Sequence, residues 1–163
     1  MKSTLNTQLA NDAARGKKFI LIISRFNTPI VEKLKDAAIE TLLAYGAERA
    51  DVDIVWVPGA LEIPFAAAKY QTREKYDAII CLGCVIKGDT YHFEVVCNES
   101  AHGIAELNLQ GKTPVLNGIV TAYTVTQAQE RAADNEFNKG HEAAIAALEM
   151  VHLDVCPLAV AHT

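Results

Sequence analysis

The sequence predicts an α/β domain of three layers, in which a four-stranded, mainly parallel sheet lies between helices. Three observations carry this expectation. Four short runs are rich in Ile and Val and almost continuously apolar, as strands covered on both faces are. Segments of helical periodicity lie between these runs, which is the order of βαβ crossovers. The 163 residues, half of them apolar and about a fifth charged, suffice for one hydrophobic core.

The elements follow in order. Residues 1–16 are polar and are expected to form an arm that is ordered by docking. The domain itself is expected over residues 17–155. Its first strand is Lys18 to Ser24. Pro29 suits a first helical position after a Thr28 cap, and Leu34, Ala38, Leu42 and Tyr45 then share one face until Gly46 stops the helix. A strand over Asp51 to Val57 leads to a helix over Ala60 to Tyr70, with Pro64 near its first turn. A strand over Asp77 to Ile86 leads to a helix over His92 to Leu109, closed by Gln110-Gly111. A last strand over Pro114 to Thr121 is followed by helices at Thr126 to Ala133 and Asn138 to Leu153, the latter Ala-rich with Gly140 in its first turn. Residues 156–163 form a tail. The expected whole is an open, flavodoxin-like sandwich.

Composition narrows the function. Twenty acids against fifteen bases give a formal charge of −5, which argues against nucleic acid or an anionic membrane as partner. No apolar run is long enough to span a bilayer, and Met1 to Gly16 lacks the apolar stretch of a signal peptide, so a cytoplasmic protein is expected. Cys81 and Cys84 form a C-x-x-C, but residues three apart on a strand point to opposite faces and no second such pair follows. Buried thiols are expected there, with no metal and no cofactor. The chain carries no G-x-G-x-x-G after its first strand, no G-x-x-x-x-G-K-[ST] and no G-x-S-x-G, which weakens dehydrogenase, nucleotidase and hydrolase readings.

Ligands of an open parallel sheet bind beyond the carboxyl ends of its strands. Ser24-Arg25-Phe26-Asn27 follow the first strand, Pro58-Gly59-Ala60-Leu61-Glu62 the second and Lys87-Gly88-Asp89-Thr90-Tyr91-His92 the third; Asn117 lies in the fourth. Taken singly, each has an ordinary explanation. Phe26 suits a core, Gly59 and Gly88 suit tight turns, Glu62 suits a helix dipole, and a lone His near a helix start is more often structural than catalytic. Together they put an aromatic ring, an amide, a carboxylate and an imidazole on one edge. Gly88-Asp89-Thr90 before a helix is a natural anion cradle, and a proton shuttle beside it points to chemistry on a phosphorylated small molecule.

Four blocks carry a resemblance. Ser24-Arg25-Phe26-Asn27, Val57-Pro58-Gly59-Ala60-Leu61-Glu62-Ile63-Pro64, Gly83-Cys84-Val85-Ile86-Lys87-Gly88-Asp89-Thr90-Tyr91-His92-Phe93 and Asn138-Lys139-Gly140 resemble the lumazine synthases, in order, within a match from about Lys18 to Leu153. The resemblance implies condensation of 5-amino-6-(D-ribitylamino)uracil with 3,4-dihydroxy-2-butanone 4-phosphate, the penultimate step of riboflavin biosynthesis. It implies that Phe26 stacks on the pyrimidine, that Ala60, Leu61 and Glu62 bind the ribityl chain with Asn27 nearby, and that the backbone of Cys84, Val85 and Ile86 reads the uracil edge. Asp89 and Thr90 match a phosphate-binding pair, and His92 matches the proton-transfer residue. Arg131, from an adjoining subunit, matches the second phosphate ligand, with Lys139 and Glu142 in the same pocket.

The chain departs from the family pattern twice. Cys84 stands where many relatives have Thr, which a backbone contact survives. Asn117 stands where many have Phe, which offers the heterocycle an amide in place of a packing surface. The resemblance also implies a homo-oligomer with sites shared between subunits of a pentamer, and a functional link to riboflavin synthase. The isolated ring is expected, with a decamer or sixty-subunit shell as alternatives; residues 2–9 are expected to add an edge strand to a neighbour. A flavin-binding protein on the same scaffold would need neither His92 nor Arg131, and a shell protein would lose the phosphate ligands; this chain keeps them all.

Overall fold

The structure, a computed structural model, describes residues 9–153. Strands β1 (Phe19–Ser24), β2 (Val52–Val57), β3 (Ala78–Ile86) and β4 (Val115–Ala122) alternate with helices α1 (Thr28–Ala44), α2 (Ile63–Gln71) and α3 (His92–Leu109), and α4 (Val125–Glu130) and α5 (Lys139–Val151) follow. The sheet order is β2-β1-β3-β4 and every pairing is parallel. This is a four-stranded doubly wound sheet between two helical layers.

Alternation along the strands builds the two layers. Phe19, Leu21 and Ile23 of β1 join Ile80, Leu82 and Cys84 of β3 in one core, with Leu34, Ala38 and Leu42 of α1 and Ala144, Ala147 and Leu148 of α5. Ile20, Ile22, Ile79 and Cys81 face the other way, against Ile63 and Ala67 of α2 and Ile104 and Leu107 of α3. The two cysteines of the C-x-x-C therefore occupy different cores, as their spacing predicts. All six β1 residues are buried, whereas edge strand β2 leaves Ile54 exposed.

Several boundaries shift, each for a visible reason. The cap of α1 is Asn27, in the left-handed region at φ 59°, not Thr28; the Thr28 hydroxyl instead donates to the Arg25 carbonyl at 2.5 Å. Tyr45 is only partly buried, because it lies past the end of α1. The helix expected from Ala60 opens with a 3₁₀ turn, Ala60–Glu62, and becomes α-helical at Ile63. Helix α4 starts at Val125 behind a Thr124 cap and ends at Glu130, after which the Lys139 amide donates to the Arg131 carbonyl at 2.8 Å and turns the chain toward α5. Asn138 is the buried cap of α5, accepting from the amides of Gly140 (2.8 Å) and His141 (3.4 Å). That helix stops at Val151, short of Leu153; His152 Nε2 donates to the Ala13 carbonyl at 2.7 Å. Ala13 and Ala14, within the expected arm, are buried in the first core and Leu9 packs against it. Residues 2–8 of the expected edge strand and the 156–163 tail lie outside the described residues.

Gly140 sets the contact between α1 and α5. A Cβ built there would stand 1.9 Å from the Leu34 carbonyl oxygen, a backbone atom that cannot step aside. Gly140→Ala should therefore cost more than its helix-propensity gain of about 1 kcal/mol. A net destabilisation of roughly 3 kcal/mol, the upper range of overpacking, is expected in the denaturant midpoint. An unchanged midpoint would mean that α5 does not sit this close to α1.

Candidate active site

Sheet order β2-β1-β3 places the switch in strand order at β1 and β3, and the loops beyond their carboxyl ends meet there. The Arg25 amide donates to the carbonyls of Val57 (3.0 Å) and Pro58 (3.3 Å), which ties the exit of β1 to that of β2. Asn27 Nδ2 donates to the Cys84 carbonyl at 2.9 Å, which ties it to β3. Asn tolerates the left-handed backbone that this turn needs. Phe26, caught between these two ties, is thrown outward and is 70% exposed.

Gly59 carries the ring of Phe26. A Cβ at Gly59 would lie 3.3 Å from that ring and 3.0 Å from Glu62 Oε2. A side chain at Gly59 would therefore push the Phe26 ring and the Glu62 carboxylate aside by a few tenths of an ångström; the φ of −141° there is open to any residue. Gly88 has neither a positive φ nor a neighbour within 4 Å of a built Cβ, so it is not a steric requirement. Glu62 Oε2 accepts from the Gly59 amide at 2.7 Å, which fixes the carboxylate beside Phe26. A carboxylate accepts several bonds, so capacity for ligand hydroxyls remains.

Phe26, Asn27, Ala60, Leu61, Glu62, Cys84, Val85, Ile86 and His92 all line one cavity of about 390 Å³, with Gly59 and Val96. That size suits a small ligand. His92 is the first residue of α3 and is exposed. Val96, which the sequence does not single out, lies one turn further along the same helix; its i+4 spacing from His92 is the signal that finds it. Burial pushes the Cys84 thiol up to about 11, so it stays protonated at neutral pH and is no nucleophile. Asp89 and Thr90 sit on the exposed turn just before α3 and do not line the cavity.

The remaining residues gather elsewhere. Asn117, Arg131 and Lys139 line a second hollow of about 300 Å³ on the β4 side, with Ile119, Val120 and Thr121. Glu142, largely buried, bridges the cations: its Oε2 accepts from Arg131 Nη2 at 3.1 Å and from Lys139 Nζ at 3.3 Å. Asn117 Oδ1 accepts from the Ile119 amide at 3.1 Å, which leaves the amide NH₂ as the donor toward a ligand. None of Asn117, Arg131 and Lys139 lines the first cavity. A single chain thus carries two unlike hollows. One has a ring platform, a carboxylate and an imidazole; the other has two cations around one acid.

Among the described residues no helix is long and apolar enough to cross a membrane. The profile of the 6,7-dimethyl-8-ribityllumazine synthase family matches residues 16–154. A curated protein of Desulfotalea psychrophila (strain LSv54 / DSM 12343), named 6,7-dimethyl-8-ribityllumazine synthase, is 50% identical over 143 residues, which cover 88% of this chain and 92% of that one. Sequence blocks, doubly wound sheet and family profile agree, and the chain belongs to the 6,7-dimethyl-8-ribityllumazine synthases, a transferase family of riboflavin biosynthesis.

Proposed function

We propose that the chain condenses 5-amino-6-(D-ribitylamino)uracil with 3,4-dihydroxy-2-butanone 4-phosphate to give 6,7-dimethyl-8-ribityllumazine, phosphate and water, the penultimate step of riboflavin biosynthesis. The observation that carries this reading is the shared cavity of Phe26, Glu62 and His92 at the sheet's carboxyl edge. Phe26 offers its exposed face to the pyrimidine, Glu62 and the Ala60-Leu61 turn take the ribityl chain with Asn27 beside them, and the Cys84–Ile86 backbone reads the uracil edge. The uracil brings its own amine, so no enzyme nucleophile is needed. Imine formation, phosphate elimination and ring closure each need proton transfers, which an imidazole at His92 serves. Asp89 and Thr90, at the amino end of α3, take the phosphate.

The second half-site enters through a homo-oligomer. Asn117, Arg131, Lys139 and Glu142 of one chain would complete the cavity of the next, with Arg131 as the second phosphate ligand. A head-to-tail contact of this kind closes into a ring, and a pentamer is favoured over a decamer or a sixty-subunit shell. Among the described residues β2 is an edge strand with Ile54 exposed, which supports the addition of a strand by residues 2–9 of a neighbour. The cytoplasm is the proposed compartment and riboflavin synthase the functional partner that consumes the product.

Mixing purified protein with both substrates tests the reaction directly. Lumazine fluorescence should rise only when both are present. Folded protein that binds the uracil and yields no product would turn the reading toward a ligand-binding relative. Light scattering on a sizing column should give a ring of five 17.7 kDa chains.

A further inference from the structure

The turn that leads into α3 has little of its own to hold it. Lys87, Gly88, Asp89, Thr90 and Tyr91 are all exposed, and no atom outside the immediate chain lies within 4 Å of a Cβ built on Gly88. Its far end is fixed by α3, so its near end must be fixed at Lys87. There the backbone and the side chain are both engaged. The Lys87 amide donates to the Ala122 carbonyl, at the end of β4, at 2.9 Å. Its Nζ donates to Glu94 Oε1, in the first turn of α3, at 3.0 Å. The same ammonium stands 5.8 Å from the ring centre of Phe93 and 5.4 Å from that of Tyr123, two rings that are themselves 5.9 Å apart.

We propose that Lys87 is a positioning residue for the anion-binding turn: its ammonium, held between the Glu94 carboxylate and the rings of Phe93 and Tyr123, pins the turn to α3 and to the end of β4. Both partners stay charged across the neutral range, since the pair holds Lys87 above and Glu94 below their ordinary values. The aromatic contacts add a cation–π attraction that a lone exposed ion pair lacks. Backbone amides bind an anion well only when they already converge on it. The clamp therefore acts on phosphate and not on the heterocycle, whose contacts lie in the neighbouring cavity. This inference rests on the proposed placing of the phosphate at Asp89 and Thr90.

The test is a KM comparison for each substrate in wild type, Lys87→Met, Lys87→Arg and Glu94→Gln. Lys87→Met keeps the aliphatic stem and removes the charge. It should raise KM for the butanone phosphate about five- to ten-fold, the sum expected of one exposed ion pair and its ring contacts. KM for the uracil and kcat should stay within about two-fold, and Lys87→Arg should behave as wild type. Glu94→Gln decides between a clamp and a direct ligand. If Lys87 itself met the phosphate, freeing it from Glu94 would lower that KM; a clamp loses its anchor, and the KM rises. An unchanged KM in Lys87→Met, an equal loss for both substrates, or a lowered KM in Glu94→Gln overturns the proposal. Should the wild type make no lumazine, the functional reading falls separately, and titration with inorganic phosphate judges the clamp. Lys87→Met must then bind it at least five-fold more weakly than wild type; equal binding, or none by either protein, overturns the clamp.

Discussion

His92→Ala should lower kcat by up to about 10²–10⁴-fold, the range of a proton-transfer contribution, and still leave measurable turnover. The loss is large because His92 lines the first cavity, where the proposed reaction needs a group that both accepts and donates protons. It is incomplete because the proposed reaction needs no enzyme nucleophile, and two substrates held side by side would keep the advantage of proximity. Binding should survive. Phe26, Glu62 and Asn27 take their positions from Gly59 and Cys84, not from His92. Alanine is also a good residue for the first turn of α3, so the helix that carries the site is not weakened. Single-turnover rates with both substrates saturating isolate the chemical step. A mutant equal to wild type would reduce His92 to a helix-start residue.

The parts of this molecule that were legible in the sequence are those decided by short stretches of chain. Strand positions follow from runs of β-branched residues that suit a sheet covered on both sides, and each strand lies within a residue of its expected limits. Helix α3 spans its expected range from His92 to Leu109, because a turn-forming loop precedes it and Gln110-Gly111 follows. The opposite faces of Cys81 and Cys84 needed only the two-residue period of a strand. What stayed hidden depends on partners far along the chain. Choosing between Asn27 and Thr28 as the cap of α1 turns on the Cys84 carbonyl, 57 residues away, which takes the Asn27 amide. Ala13 and Ala14 sit in a polar segment, yet the Ala14 amide donates to the Tyr45 carbonyl at 2.9 Å and both side chains enter the core. The site divides likewise. Nine expected residues share a cavity because three adjacent strands end there, whereas local pattern alone cannot tell whether Arg131 joins them.

Mixing two defective chains should restore activity, and this is the sharpest consequence of the proposed shared site. Arg131→Ala alone should weaken use of the butanone phosphate about ten- to a hundred-fold, as loss of a charge-assisted hydrogen bond does, and leave the uracil bound. It also frees Glu142, which keeps Lys139 at 3.3 Å as its remaining cation. His92→Ala fails in the other half-site. Neither defect touches the core, since both side chains are exposed. If each site joins His92 of one chain to Arg131 of the next, equal amounts refolded together give intact pairs at about one interface in four. Turnover should then recover to about a quarter of wild type at low butanone phosphate, well above either variant alone. If both residues served the same site within one chain, every site would keep one defect, and the mixture would show only the mean of the two variants. A fully active monomer on the sizing column would end the shared-site scheme altogether, because Arg131 opens on a hollow separate from the one that holds Phe26 and His92.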